Sequence, residues 1–243
     1  MKKLFTAAAL LCASAPLGAQ IINESFTGIN TAVPDGSLSG LANQQTISGA
    51  VGVITDVNVT LSLSGTGFGA VNGDIYAYLS HGGETAILVN RAGRSAGNAM
   101  GYDDNGFSSV TFDDSAANGD VHNYRFELFG DHSAAIPGTP GALTGAWQPD
   151  GRYVAPTSVQ DSSARTQPLS VFNGLNPNGA WTLFVADVAS GGTVRLDSWS
   201  VQVAVPEPHE TALASGVILG AFALWRRVRK TRLSEKSGVD AGF

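Results

Sequence analysis

The chain has 243 residues, of which 43% are hydrophobic and 14% charged, and its formal net charge is −6. This length suits one domain with a sizeable core plus terminal segments. Residues 20–210 contain six arginines, no lysine and eighteen acidic residues. Such an acidic surface repels phosphates, which argues against nucleic acid as a partner.

The N-terminus has the three regions of a secretory signal peptide. The positive pair Lys2-Lys3 precedes an apolar run over residues 4–15, and small residues then lead to a cleavage site at Ala19. We therefore expect residues 1–19 to be removed. The single cysteine, Cys12, lies in this segment, so the mature chain would have no disulfide and no thiol chemistry. A lipid-modified Cys12 is the alternative.

After a lead over residues 20–30, hydrophobic residues recur at every second position rather than with a helical period. Alternation is longest over residues 51–64, and shorter segments repeat it at 75–79, 86–89, 109–112, 124–129, 181–186 and 199–203. Turn clusters separate them at 72–74, 81–83, 104–106, 176–179 and 190–192. Short strands with Gly-rich turns predict an all-β fold, an antiparallel β-sandwich or jelly roll.

Two further features bear on the interior of this fold. The stretch Gly130–Arg165 is rich in Gly, Pro, Ser and Ala, so we expect a long surface connection broken by a short strand around Arg152-Tyr153. Trp181 and Trp199 lie in alternating strands, each with a large apolar area and an N–H that needs a partner. We expect both to anchor the core, the alternative being platforms for a ligand.

Catalytic patterns are weak. Gly93–Gly97 fits the G-x-S-x-G pattern around Ser95, but that pattern needs a strand–turn–helix elbow, and the residues after Ser95 predict a loop. His81, His122 and His132 do not have the spacing of a zinc site. We therefore expect no catalytic residues and no enzymatic activity, with a serine hydrolase as an outside alternative.

Calcium is the one metal that the side chains favour. Ca²⁺ takes six to eight oxygen ligands, mostly from carboxylates and carbonyls. The candidate ligands are Asp35, Asp103, Asp104, Asp113, Asp114 and Asp187. EF-hand spacing is lacking, so a solvated acidic surface or aspartates that cap turns are the alternatives. No other cofactor is expected.

The C-terminus combines three ordered elements. Pro206-Glu207-Pro208 precedes an uncharged stretch, Thr211–Trp225, which predicts a transmembrane helix over about 210–225. Fifteen residues reach about 22 Å, so flanking residues or local thinning must help to cross a core of roughly 30 Å. A basic cluster follows and predicts a cytoplasmic C-terminus over residues 233–243. Its first arginines are Arg226, Arg227 and Arg229.

Residues 205–232 resemble the PEP-CTERM sorting signal of Gram-negative bacteria. The resemblance implies that an exosortase-type membrane protease recognises the segment and cuts near Pro206-Glu207-Pro208. The protein would then be held in the inner membrane only transiently. The tail from Leu233 to Phe243 is longer than this pattern usually has.

Residues 31–205 resemble the P domain of proprotein convertases. The blocks that carry the resemblance lie at 33–35, 54–59, 73–75, 112–116, 169–174, 178–183, 185–187 and 196–200. The resemblance implies a β-jelly roll of about eight strands, which in that family stabilises a neighbouring subtilisin-like protease, and some members carry structural calcium. No protease domain is present in this sequence, so only the fold transfers directly.

These observations together predict an exported protein of the cell surface or of an extracellular polymer matrix such as a biofilm, with a structural or adhesive role. The expected partners are the sorting protease, the inner membrane during export, and an exopolysaccharide or another surface protein. The alternative is a module that binds carbohydrate or protein, including an exported protease in trans.

Overall fold

The computed structural model describes residues 19–67, 69–138, 141–206, 220–222 and 225–226. Gln20–Val205 form one compact unit, and Met1–Ala19 with Pro206–Phe243 form a second. The described strands and α-helix of the first unit are β1 (Ala19–Phe26), β2 (Thr31–Ala32), β3 (Ser37–Ile47), β4 (Asp56–Gly67), β5 (Ile75–His81), β6 (Glu84–Asn90), β7 (Phe107–Phe112), α1 (Tyr124–Phe129), β8 (Ala146–Trp147), β9 (Gly179–Asp187) and β10 (Gly192–Pro206). Short 3-10 helices lie at Asn72–Asp74, Val121–Asn123 and Leu169–Phe172.

The larger sheet has six strands. Its order is β1-β10-β4-β7-β8, and β2 also pairs with β10. The central pair, β10 with β4, is antiparallel from Gly192 opposite Gly67 to Ala204 opposite Asp56. β7 pairs antiparallel with β4, whereas β8 joins β7 in parallel.

The smaller sheet has four strands in the order β3-β9-β5-β6, and all its pairs are antiparallel. The β3–β9 pairing shifts register between Ser37 and Leu41, where Gly40 has a φ of 52°. A side chain at Gly40 would overlap the ring of Phe184. The bulge therefore requires glycine, and it gives the Phe184 ring its place against β3.

One hydrophobic core joins the two sheets. Alternate residues of β4 and β5 are buried and belong to the same cluster as the inward residues of β9 and β10. Trp181 Nε1 donates to the carbonyl of Pro177 at 3.0 Å, and Trp199 Nε1 donates to Asn43 Oδ1 at 2.8 Å. Both tryptophans are core residues, as the sequence predicted, and the all-β, antiparallel-rich, two-sheet architecture is confirmed.

Two local predictions were wrong. Residues 124–129 form the helix α1 rather than a strand, and α1 ends at Gly130, whose φ of 67° is the left-handed conformation typical of a residue after a helix. Tyr124 and Arg125 are buried while Phe126 and Leu128 are exposed, so the apparent alternation of period two was misleading. Near Arg152-Tyr153 there is no strand among the described residues but a single bridge from Arg152 to Arg165.

The second unit is described at a few positions. Residues 220–222 and 225–226 are helical, with the rings of Phe222 and Trp225 5.8 Å apart and the Arg226 guanidinium 5.6 Å from the Phe222 ring centre. Among the described residues, none belongs to a helix that has the length and apolar character needed to cross a bilayer. Residues 1–18 of the expected signal peptide and most of the expected transmembrane helix lie outside the described residues, and Ala19 is the first residue of β1.

Candidate functional site

Ser95, the serine of the G-x-S-x-G pattern, lies in a tight turn between β6 and β7. Ser95 and Asn98 exchange backbone hydrogen bonds of 2.9 and 3.2 Å, and the Asn98 N–H also donates to Ser95 Oγ at 3.1 Å. Neither a strand nor a helix flanks this turn directly. The Ser95 hydroxyl is used to close the turn. In a nucleophile elbow, the serine would instead lie on a sharp turn from a strand into a helix.

His122 bonds to the residue before Ser95, and both of its ring nitrogens have partners. Nδ1 lies 2.8 Å from Asp150 Oδ2, and Nε2 lies 2.9 Å from the carbonyl oxygen of Arg94. Because both partners are acceptors, the ring satisfies them only as an imidazolium. Burial lowers the pKa of His122, but the hydrogen bond and charge of Asp150 outweigh burial, so the pKa is raised. We interpret the pair as a structural ion pair and not as a free base.

Arg152 extends this ion pair into a buried network. Its Nη1 donates to Asp150 Oδ1 at 3.2 Å, and its Nη2 donates to Asp120 Oδ2 and to the carbonyl of Asp161, both at 2.8 Å. Asn90 Nδ2 donates to the carbonyl of Arg152 at 3.0 Å. The network holds the long connection after α1 against the edge strand β6.

A second buried network surrounds Asp104, one of the candidate calcium ligands. Tyr124 Oη donates to Asp104 Oδ2 at 2.5 Å, and Arg125 Nε donates to the same oxygen at 2.6 Å. Arg125 Nη2 also donates to Asp103 Oδ1 at 2.5 Å. This hydrogen bond lowers the pKa of Asp103, and its effect is larger than that of burial, which raises the pKa. Both carboxylates are thus paired with one guanidinium. Within the described residues they act as parts of an ion-pair cluster.

Asp113 and Asp114 bond to backbone N–H groups. Asp113 Oδ1 accepts from the backbone N–H and the hydroxyl of Ser115, each at 2.7 Å. Asp114 accepts from the N–H groups of Leu169 and Ser170 at 2.9 and 2.7 Å, at the start of a 3-10 helix. These are the turn-capping roles that we gave as the alternative to calcium.

Asp187, at the end of β9, has an unusual electrostatic environment. It is 2% exposed, and burial, followed by the charges of Asp35 and Asp74, raises its pKa from 3.8 to about 6. Hydrogen bonds from the backbone N–H groups of Ala189 and Val194 act in the opposite direction. The carboxylate is thus held close to other negative charges in a poorly solvated place.

The two carboxylates near Asp187 have other partners. Asp74 Oδ1 lies 3.3 Å from Arg91 Nη2, and burial raises the pKa of Asp74 despite this guanidinium. Asp35 Oδ1 accepts from the N–H of Gly191 at 3.3 Å. Asp35 and Asp187 are therefore the two predicted calcium candidates that the structure brings into electrostatic contact.

The six calcium candidates lie at three separate places. Asp103 and Asp104 share Arg125, Asp113 and Asp114 cap turns, and Asp35 lies near Asp187. Over the described part of the chain, no three side chains of His, Cys, Asp or Glu are grouped so that they could hold a metal ion. Calcium binding remains a prediction.

Two of the predicted sorting residues, Pro206 and Arg226, are among the residues that the structure describes. Pro206 is the last residue of β10, in agreement with a proline that ends a strand. Arg226 is exposed and helical. Glu207, Pro208, Arg227 and Arg229 lie outside the described residues.

The outer face of the smaller sheet carries an aromatic cluster that the sequence analysis missed. Tyr78 and Phe184 are cross-strand neighbours with ring centres 4.7 Å apart and an interplanar angle of 16°. Tyr76 lies 5.8 Å from Tyr78 and 6.3 Å from Phe184. We call Tyr76, Tyr78 and Phe184 the aromatic face. Its signal was present, because the core residues Ile75, Ala77 and Leu79 direct both tyrosines outward.

The outer face of the larger sheet is different, since it carries hydroxyl and amide groups. Thr60 bonds to Thr111 at 2.9 Å, and Asn58 Nδ2 donates to Gln202 Oε1 at 3.3 Å. A cleft of 350 Å³ opens at one side of this face. It is lined by Ser62, Leu63, Ser64, Gly65, Asn105, Phe107, Ser108, Ala142 and Asp197.

A shallow cleft of 240 Å³ lies at the β5–β6 hairpin and includes His81. The imidazole is stacked on Trp181, with ring centres 3.9 Å apart and an interplanar angle of 1°. Its ring nitrogens lie 2.9 Å from the carbonyl of Ala180 and 2.7 Å from that of Asn176. His81 thus fixes the turn before β9, and its contacts are structural.

Comparisons with known proteins add little to this architecture. No protein-family model matches the chain, and no curated protein matches it. Among solved structures, it is similar to a serine protease of Aeromonas sobria in complex with its chaperone, with a TM-score of 0.39 and 17% identity. A second structure of that protease gives a TM-score of 0.38 and 18% identity. Each match covers 79% of this chain and 28% of the other, so the chain spans less than a third of those neighbours' length.

Proposed function

We propose that the chain is an exported, non-catalytic protein of the cell surface or extracellular matrix of a Gram-negative bacterium, whose mature body is a P-domain-like jelly roll. The observation that carries this proposal is the extent of the folded body. The compact unit Gln20–Val205 begins directly after the expected cleavage site at Ala19 and ends directly before Pro206-Glu207-Pro208. Both expected cuts therefore fall at its borders.

The buried residues near the C-terminal end of the sandwich lie inside the expected cut. Val203, Ala204 and Val205 are buried at the end of β10, whereas Ala19 and Gln20 are exposed at the start of β1. A cut at the Pro-Glu-Pro motif would keep Val203, Ala204 and Val205 in the mature chain. This agrees with a C-terminal segment that serves only for transient anchoring in the inner membrane and for recognition by an exosortase-type protease.

A non-catalytic role is supported by the buried charged side chains. His122, Asp150 and Arg152 bond to one another, and Asp104 bonds to Arg125. A general base or nucleophile needs a free atom that faces a substrate. These groups are instead used to fix loops. The excess of acidic residues over arginines in the mature body favours solubility outside the cell.

A second role, the binding of carbohydrate or of another protein such as an exported protease in trans, is favoured by the aromatic face. Three aromatic side chains on an outer sheet face are not needed for the core, whose residues point to the other side. Such a patch is typical of interaction surfaces.

Variants of the sorting segment in the native host test the main proposal. Replacing Arg226, Arg227 and Arg229 by glutamine should reduce release at least about tenfold and leave the protein in the cell or its membranes, because the cationic stop orients the helix. Arg195→Gln, which removes an exposed arginine of the sandwich, is the control for charge and should be released normally. Release of the triple variant at the normal rate and size would contradict the proposed sorting.

A further inference from the structure

The aromatic face is arranged as a short row across the smaller sheet. Tyr78 lies opposite Phe184, Tyr76 is two residues away on β5, and Ser80 lies opposite Thr182 in the next row. Thr182 is in turn opposite the exposed Gln44 of β3. Rings therefore occupy one part of the face, and hydroxyl and amide groups occupy the part beside it.

The rings are held in place and remain partly exposed. All three rings are half-buried, and the Phe184 ring is seated at the Gly40 bulge, where a side chain would overlap it. Stacking of Phe184 with Tyr78 fixes both side chains. A ligand would therefore meet preorganised rings, which reduces the entropy lost on binding.

The hydroxyl groups of this face have no partner within the described chain. Neither Tyr76 nor Tyr78 makes a side-chain hydrogen bond to any described residue. Burial, followed by the neighbouring Tyr78, raises the pKa of Tyr76 to about 12, so its hydroxyl stays neutral and can donate and accept. Tyr153, which is 62% exposed, also contributes to the raised pKa of Tyr76.

The outward positions around the rings carry no charge on three of the four strands. On β5, β9 and β3 they are Tyr76, Tyr78, Ser80, Ala180, Thr182, Phe184, Ala186, Ala42, Gln44 and Thr46. On β6, Ile87 lies opposite Tyr78 and is buried. Nucleic acid and anionic lipid require cations, which these positions lack. A pyranose ring presents polarised C–H groups on its faces and hydroxyls around its edge. The negative faces of aromatic rings attract the former, and hydroxyl and amide side chains bond the latter.

We propose that the aromatic face, with Ser80, Thr182 and Gln44 beside it, binds a neutral polysaccharide chain laid across the smaller sheet. This inference deepens the second proposed role and does not depend on the sorting signal.

Affinity electrophoresis of residues 20–205, a compact unit with its own core, tests the inference. Native gels would contain hydroxyethyl cellulose, xylan or dextran as neutral polymers, or alginate as an anionic one. We expect at least one neutral polymer to retard the protein. Tyr78→Ala and Phe184→Ala should each weaken binding at least about fivefold, since each removes a stacking ring.

Two further variants separate stacking from misfolding. Tyr78→Phe keeps the ring and should lose at most about threefold, which reports the hydroxyl alone. Phe126→Ala removes an exposed ring from α1, outside the aromatic face, and should bind normally. Thermal unfolding of each variant checks that the sandwich is folded.

Three results would overturn the inference: no retardation by any neutral polymer, retardation by alginate alone, or retardation unchanged in Tyr78→Ala. A dimer in sedimentation velocity that Tyr78→Ala dissociates would instead make the face a protein interface. The protein-binding form of the second role would then stand while the polysaccharide proposal fails. Sorting is tested separately by the tail variants.

Discussion

Replacing Asp187 by asparagine should stabilise the sandwich at neutral pH. Asp187 is buried at the end of β9, and burial with the charges of Asp35 and Asp74 raises its pKa to about 6. Ionised Asp187 therefore destabilises the folded state. Asparagine keeps an oxygen that can accept from the N–H groups of Ala189 and Val194 but removes the charge.

The sign and size follow from proton linkage. A folded pKa of about 6 against 3.8 unfolded means that the folded state binds the proton more tightly, so stability falls as pH rises from about 4 to 6. At about 1.36 kcal/mol per pH unit, the penalty above pH 6 is at most about 3 kcal/mol. Because the new amide N–H₂ also needs a partner, we expect a gain of about 1–3 kcal/mol at pH 7.5. Near pH 4 the gain should shrink to about 0.5 kcal/mol.

Urea unfolding followed by the fluorescence of the buried Trp147, Trp181 and Trp199 measures this difference. Glu84→Gln makes the same chemical change at an exposed hairpin position and should alter the unfolding free energy by less than about 0.5 kcal/mol at both pH values. A loss of stability in Asp187→Asn at pH 7.5, or an equal gain at pH 4, would refute this account of the carboxylate. A loss seen only with calcium present would point to Asp187 as a metal ligand.

Three other predictions concern the same sandwich. Asp150→Asn should cost about 3–5 kcal/mol in urea unfolding, because it leaves the buried His122 without its counter-charge. The pKa of His122 in the folded protein is raised above 6.5. Its ion pair therefore stabilises the fold fully below pH 6.5, and this stabilisation is lost as the pH rises through the folded pKa. The unfolding free energy of Asp150→Asn should lack this pH dependence. Gly40→Ala should lower the unfolding free energy by about 1–3 kcal/mol, because φ is 52° and Cβ would meet the Phe184 ring. If Asp35 and Asp187 share a calcium ion, millimolar calcium should raise the melting temperature, and a chelator should reverse the rise.

Each of these has a clear contrary outcome. A wild-type stability that is flat from pH 6 to 9, with Asp150→Asn at wild-type stability, would show that His122 is neutral. A neutral Gly40→Ala would mean that the bulge adjusts freely. An unchanged melting midpoint with and without calcium would remove the metal from the account, since a ligand selective for the folded state must raise it.

The strands were predictable because their signal is local. In β5, β9 and β10 alternate side chains face one core, so the period of two in the sequence reports burial directly. β3 was missed because Gly40, Asn43 and Gln45 interrupt its apolar pattern, and Asn43 points inward to bond Trp199. At such a position, a hydrogen-bond partner on another strand decides that a polar side chain points inward.

The helix α1 shows the opposite failure. Tyr124-Arg-Phe-Glu-Leu-Phe alternates in hydrophobicity, but Tyr124 and Arg125 are buried together because both bond to Asp104. Gly130, in the left-handed conformation, was the local sign of a helix end.

The polar networks could not be foreseen from the sequence. Asp150 meets His122 across 28 positions of the chain, and Asp103 meets Arg125 across 22. Such long-range pairings determine where the acidic residues that suggested calcium lie in the fold. The two tyrosines of the aromatic face, by contrast, followed from β5 alone, because a core register through Ile75, Ala77 and Leu79 leaves both outside.

The mass of the intact protein recovered outside its host cells tests the central claim most directly. That claim is that the sandwich is exported and both terminal segments are removed. We expect a mature chain that begins at Gln20 and ends near Pro206-Glu207-Pro208, and any attached glycan or metal would appear as added mass. Extracellular protein that keeps Phe243 as its C-terminus would contradict the account.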